Sequence, residues 1–127
     1  MRQSTFSSGF EKHSKKIRKE RFLEGMAQLT PWKDLSQALM LRYSNPHGAG
    51  RRPMGLERML RIYFMQHWYN LSDPAMEDAL YDSRVMCDFA GIDLGNEAAP
   101  DESTILQFRH RMGTVDPGEA MSHLGHV

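Results

Sequence analysis

Leu56, Met59, Leu60, Tyr63, Phe64 and His67 recur at i, i+3, i+4, i+7, i+8 and i+11, one face of a 3.6-residue period. The spacing predicts a helix opening at Pro53, with Arg58 and Arg61 on its opposite side. From Ile62 onward Met65, Trp68 and Tyr69 fill the remaining faces, and a helix apolar on all sides belongs at the centre of its domain. "NLSDP" (residues 70–74) ends it. Asp73 is suited to cap the next helix and Pro74 to its first position, while Glu77 and Asp78 complement the positive helix N-terminus. Two helices across so short a turn form a helix-turn-helix-like unit, an arrangement shared by many unrelated helical proteins.

The rest of the chain reads as further helices. Residues 11–29 place Ile17, Leu23, Met26 and Ala27 inward, and Pro31 breaks that helix. Trp32 and Leu35 seat the segment Trp32–Arg42 on the core, and "YSNPHGAGRRP" (residues 43–53) is a loop by composition. Val85, Met86, Phe89 and Ala90 continue the second helix to a stop at Gly91. Asp101 is placed to cap a helix over Glu102–Met112, and Gly113 to end it. On this last helix Ile105, Phe108 and Met112 mark the buried side; Thr104, Gln107 and Arg111, with Ser103 and His110 beside them, mark a hydrogen-bonding exposed side. Arg109, nearer the buried edge, reads as the internal partner of an acid. No strand pattern is present. The expected fold is therefore an all-α small bundle whose core includes Leu56, Leu60, Phe64, Trp68, Leu80, Phe89 and Phe108. Its parts are a flexible basic arm over residues 1–21, a helical domain over 22–112 and an irregular tail over 113–127.

Charge changes this picture through its distribution. Lys plus Arg equals Asp plus Glu at 16 each, yet residues 1–21 hold seven basic residues against two acidic, and residues 73–102 hold nine acidic against Arg84 alone. The basic arm is a solvated helix face, a phosphate-tracking element, or a segment lying on the chain's own acidic middle. Cys87 is the only cysteine, which excludes an intrachain disulfide and fits a reducing cytoplasm. No apolar run is long enough to span a bilayer, and the N-terminus lacks an apolar signal core, so a soluble cytoplasmic protein without membrane contact is expected. The ten methionines fall among helical apolar positions, as core gap-fillers do. Gly48 and Gly50 beside Arg51 and Arg52 lack the lysine and hydroxyl of a phosphate loop, and His123 and His126 lack the further ligands of a metal site.

"GRRPMGLERMLRIYFMQHWYNLSDPAMEDALYD" (residues 50–82) followed by "PDESTILQFRHRM" (100–112) resembles the N-terminal part of bacterial insertion-sequence transposases, most closely the insertion-sequence-five group of the DDE class. The likeness runs from about Phe22 to Met112. It implies a helical DNA-binding region preceding a catalytic domain of ribonuclease-H-like fold, whose three carboxylates hold magnesium for attack on phosphodiesters. After Met112 the chain departs from the family pattern, and no acid present matches a catalytic position. The expectation is a truncated transposase with no catalytic residues, no metal and no cofactor of its own. Lys15, Lys16, Arg18, Lys19, Arg51 and Arg52 are assigned to phosphates, and Ser103, Gln107, His110 and Arg111 to the recognition face. The implied partners are DNA at the element's terminal inverted repeats and full-length transposase or a second copy. Two alternatives stay open: a regulator that occupies the repeats and inhibits transposition, and an inactive remnant.

Overall fold

The computed structural model describes residues 17–43, 53–113 and 115–125. Among them the chain is helical and without strands: α1 (residues 17–29), α2 (Trp32–Tyr43), α3 (Pro53–Trp68), α4 (Asp73–Asp82), α5 (Arg84–Ala90), α6 (Glu102–Met112) and α7 (Pro117–Gly125). The all-α expectation holds. Residues 44–52, where a loop is expected, and the arm before residue 17 lie outside the described residues, and with them Lys15, Lys16, Arg51 and Arg52; Tyr43 and Pro53, expected in that loop, end α2 and begin α3.

α3 is the axis. Five consecutive residues, Ile62 to Gln66, are buried, and the helix packs on α2, α4, α5 and α6. Burying an apolar side chain of this size stabilises by about 1.5–3 kcal/mol relative to exposure. The inner stripe is as the periodicity predicts except at its end. His67 is exposed and Trp68 only partly buried, although the Trp68 ring still meets Phe64 and Phe89 of the core. The other expected core residues are all buried. Trp32, at the start of α2, donates its indole N–H to the Ala27 carbonyl at 3.2 Å, and its ring meets Phe64 and Phe89. Arg61, expected on the outer side of α3, instead lies 4.9 Å from the Trp32 ring centroid and 5.1 Å from that of Phe89, and donates to the Phe89 carbonyl at 3.0 Å. Its planar cation covers aromatic faces, so that side of α3 is packed.

The helix ends are set by local bonds. At the end of α3 the Leu71 N–H reaches the Gln66 carbonyl at 2.9 Å and the Asn70 N–H the His67 carbonyl at 3.3 Å, with Asn70 left-handed at φ 53°. This is a Schellman turn, with asparagine where glycine is commonest. Ser72, and not Asp73, caps α4, its Oγ accepting the Ala75 N–H at 3.2 Å; Asp73 falls inside the first turn and turns its carboxylate elsewhere. Ser83 separates α4 from α5, where one continuous helix is predicted. Its N–H bonds Ala79 while its Oγ accepts the Met86 N–H, so one serine closes one helix and opens the next. Gly91 (φ 74°), Asp101 and Gly113 act as predicted.

The irregular tail is the main correction. Pro117–Gly125 is helical, Ala120 is buried, and Val115 and Met121 pack against the core. Asp116 Oδ1 accepts the Glu119 N–H at 2.7 Å, capping a helix that Pro117 starts. The Tyr63 hydroxyl donates to the Val115 carbonyl, and α7 rests on α2. Glycines at 118 and 125 weaken the period in the sequence, but the packing overrides that weakness.

Candidate nucleic-acid interface

α6 presents a hydrogen-bonding face outward. Its inner stripe of Ile105, Phe108 and Met112 is buried, which leaves Ser103, Thr104, Gln107 and His110 exposed on the other side. Arg111 is partly buried and engaged within the chain, so it is less free than its place in the period predicts. Asp101 Oδ1 accepts the Thr104 N–H at 2.8 Å, and these backbone bonds lower the Asp101 carboxyl pKa. Glu77 from α4 accepts the Glu102 N–H at 2.7 Å. The start of α6 is thus surrounded by Asp101, Glu102 and Glu77. Its last turn carries Arg109, His110 and Arg111. An incoming phosphate is repelled by the carboxylates at the first end and meets basic side chains at the second.

Arg109 is held in place by Asp73. Its Nη2 lies 2.9 Å from Asp73 Oδ2 and its Nε 3.1 Å from Oδ1, a bidentate pair joining α6 to α4. Gln66 Nε2 donates to the same carboxylate at 2.6 Å, and Gln66 Oε1, buried, has no partner. These bonds, with Arg109 foremost, hold the Asp73 carboxyl below the usual carboxylate range. The expectation that Arg109 pairs with the acidic middle is met. With His67, Asn70, Leu71, Ser72 and Pro74 these groups line a cleft of about 360 Å³ beside the end of α3.

The same end of α3 carries a second cleft, lined by Arg18 and Lys19 of α1 with Phe22, Trp68 and Tyr69. Arg18 is exposed; Lys19 is partly buried, its ammonium 5.1 Å from the Tyr69 ring centroid. Burial raises the Tyr69 phenol pKa, keeping it protonated at neutral pH. The last turn of α3 therefore lies between the described cations of α1 and the cationic end of α6. Among the described residues the ion pairs of the acidic middle do not involve the α1 cations: Glu97 pairs with Arg58 at 2.7 Å, Asp88 with Arg84 at 3.9 Å, and Asp73 with Arg109.

A family model described as Transposase domain (DUF772) matches residues 11–111. The chain belongs to that transposase family. A role in transposition follows, and with it an interaction with DNA in general. No solved structure matches the chain. The matched span covers α1 to nearly all of α6, so both clefts at the end of α3 lie within the transposase domain. Among the described residues no group of three His, Cys, Asp or Glu side chains is placed to share a metal ion, and none of the helices is long and apolar enough to cross a membrane.

What sequence reasoning missed here is the aromatic cleft. Phe22 is 42 % exposed and stands edge-on to Trp68, its ring centroid 5.2 Å away. The signal available was the run "RKERF" (residues 18–22), which places three cations, two of them on the cleft, and an aromatic within one turn and a half of helix.

Proposed function

We propose that this chain is the DNA-binding portion of an insertion-sequence transposase of the DDE class, in the insertion-sequence-five group, and that it recognises the inverted repeats at the element's ends. The observation that carries the reading is the exposed polar face of a transposase-domain helix, α6, whose last turn is cationic and lies at the same end of α3 as Arg18 and Lys19. The α3–turn–α4 connection serves as the helix-turn-helix-like element that fixes α6 against the bundle. Because carboxylates surround the start of α6, the base-reading segment is its second half, with Gln107 and His110 reaching base edges. Amide side chains suit the paired acceptor and donor on adenine in the major groove. Arg18 and Lys19, with Lys15, Lys16, Arg51 and Arg52, serve phosphates, which fix register without reading sequence. Ser103 and Arg111 flank the reading segment.

The described carboxylates do not fit the family's magnesium site, since they do not converge and Asp73 is bonded to Arg109. In this reading chemistry belongs to a catalytic domain, and full-length transposase or a second copy assembles with this domain on cytoplasmic DNA.

Gel-shift titrations at several salt concentrations test the proposal. Arg18→Gln should weaken binding equally on repeat and unrelated duplexes and reduce the salt slope by about one unit. Gln107→Ala should leave the slope intact and cost about 1–3 kcal/mol of preference for the repeat. If changing Gln107 and His110 together leaves that preference intact, α6 is not the reading element.

A further inference from the structure

We propose that the cleft of Phe22, Trp68 and Tyr69, flanked by Arg18 and Lys19, takes an unpaired nucleotide of DNA, with the base against the rings and its phosphates on the two cations. This inference rests on the DNA-binding reading and adds a second mode of contact to it.

Several observations converge on that occupant. The cleft, of about 560 Å³, lies between α1 and the end of α3, and its five lining residues include three aromatics, two cations and no acid. Two positive side chains disfavour an ammonium ligand, for which aromatic rings alone would otherwise be suited. An anion with a flat apolar body satisfies both halves of the lining, and a nucleotide has that chemistry. Phe22 stands at 85° to both Trp68 and Tyr69, so the rings form a corner and not a closed stack. Rings in such a corner can receive another ring on a free face. Phe22 remains 42 % exposed, a large apolar surface left in water on a helix whose other side buries Leu23. Lys19 is anchored 5.1 Å from the Tyr69 centroid, which places its charge at the rim before any ligand arrives.

The base must be unpaired because a duplex hides base faces inside its own stack. An aromatic side chain reaches a face only where a nucleotide is single-stranded or turned out. Such nucleotides occur at frayed or nicked duplex ends, the kind of DNA that strand cleavage at an element's boundary produces. The neighbouring cleft at Asp73 and Arg109 cannot serve instead, since its cation is already paired and its lining holds no phenylalanine, tyrosine or tryptophan ring.

The test uses the full chain, short oligothymidylate, and a duplex with and without a single-stranded extension. Trp68 lines the cleft while Trp32 is buried, so quenching of tryptophan emission reports the cleft directly. Oligothymidylate should quench it, and the extended duplex should bind more tightly than the blunt one. Phe22→Ala should remove about tenfold of that added affinity while leaving blunt-duplex binding and the circular-dichroism spectrum unchanged. Lys19→Gln should lower oligothymidylate affinity with a shallower salt slope. Equal binding of blunt and extended duplexes with no quenching overturns this inference and leaves the DNA-binding reading intact. Self-association at the cleft, seen as a Phe22-dependent dimer in sedimentation without DNA, assigns it to a second copy and also overturns it. Failure to bind any of the three DNAs overturns both.

Discussion

Phe64→Ala is expected to cost about 3–5 kcal/mol of folding stability. Phe64 is fully buried in the second half of α3, the helix on which α2, α4, α5 and α6 all pack. Its ring lies 5.2 Å from Trp32, 5.6 Å from Trp68 and 6.5 Å from Tyr63, centroid to centroid. Truncation removes the transfer free energy of the ring and leaves a cavity between helices. Their backbones close on it only in part, because each is also packed against a neighbouring helix. Trp68→Ala should cost less despite removing a larger side chain, since Trp68 is partly in water already and its loss opens a surface hollow that water fills. A small domain has only about 5–15 kcal/mol of stability in total, so the Phe64 variant should be marginally folded. Urea unfolding followed by helical circular dichroism measures both variants. A loss below about 1 kcal/mol for Phe64→Ala, or a larger loss for Trp68→Ala, would show that α3 is not the axis.

The centre of this fold is legible in the sequence because α3 repeats one apolar stripe and then becomes apolar all round, which only a surrounded helix tolerates. Asp101, Gly91 and Gly113 are legible for a different reason: each cap needs one residue type at one place. The misreadings lie where two local rules compete. Asp73 and Ser72 are both good caps, and Arg109 on α6 settles the choice by drawing Asp73 away, a contact across 36 residues that no local pattern contains. Arg61 reads as an outward charge by period, yet the Trp32 and Phe89 rings give it a covered place. α7 is hidden because glycines break its period, although "DPGE" (residues 116–119) already held its cap and its proline. The polar face of α6 was readable as a stripe. Glu77 from α4, which joins Asp101 and Glu102 at its start, was not, and these carboxylates decide which half of the helix can approach a phosphate.

Asp73→Asn should lower stability and raise affinity for DNA together. The substitution keeps the shape of the side chain but removes the charge from two bonds to Arg109 and one to Gln66. Charge-assisted bonds at a site this enclosed contribute about 1.5–3 kcal/mol, but the Arg109 side chain is 42 % exposed, and water screens part of that. A loss of about 1–2 kcal/mol is expected. The pH dependence has a definite sign. The Asp73 pKa is lowered in the folded chain, chiefly by Arg109, so its contribution is fully present above the unfolded aspartate value of about 3.9 and disappears as pH falls through the lower folded value. Between neutral pH and about 5 the wild-type and Asn chains should differ by a constant amount, and below about 4 the gap should close. On the DNA side Asp73 now neutralises Arg109 at the cationic end of α6. Removing its charge adds one effective positive charge to the proposed interface, so duplex affinity should rise several-fold at low salt, with a salt slope steeper by about 0.9. Stability against pH and gel shifts against salt read the two effects separately. A stability gap that persists unchanged below pH 4 would rule out the charge as its cause, and unchanged DNA affinity would place the end of α6 away from the phosphates.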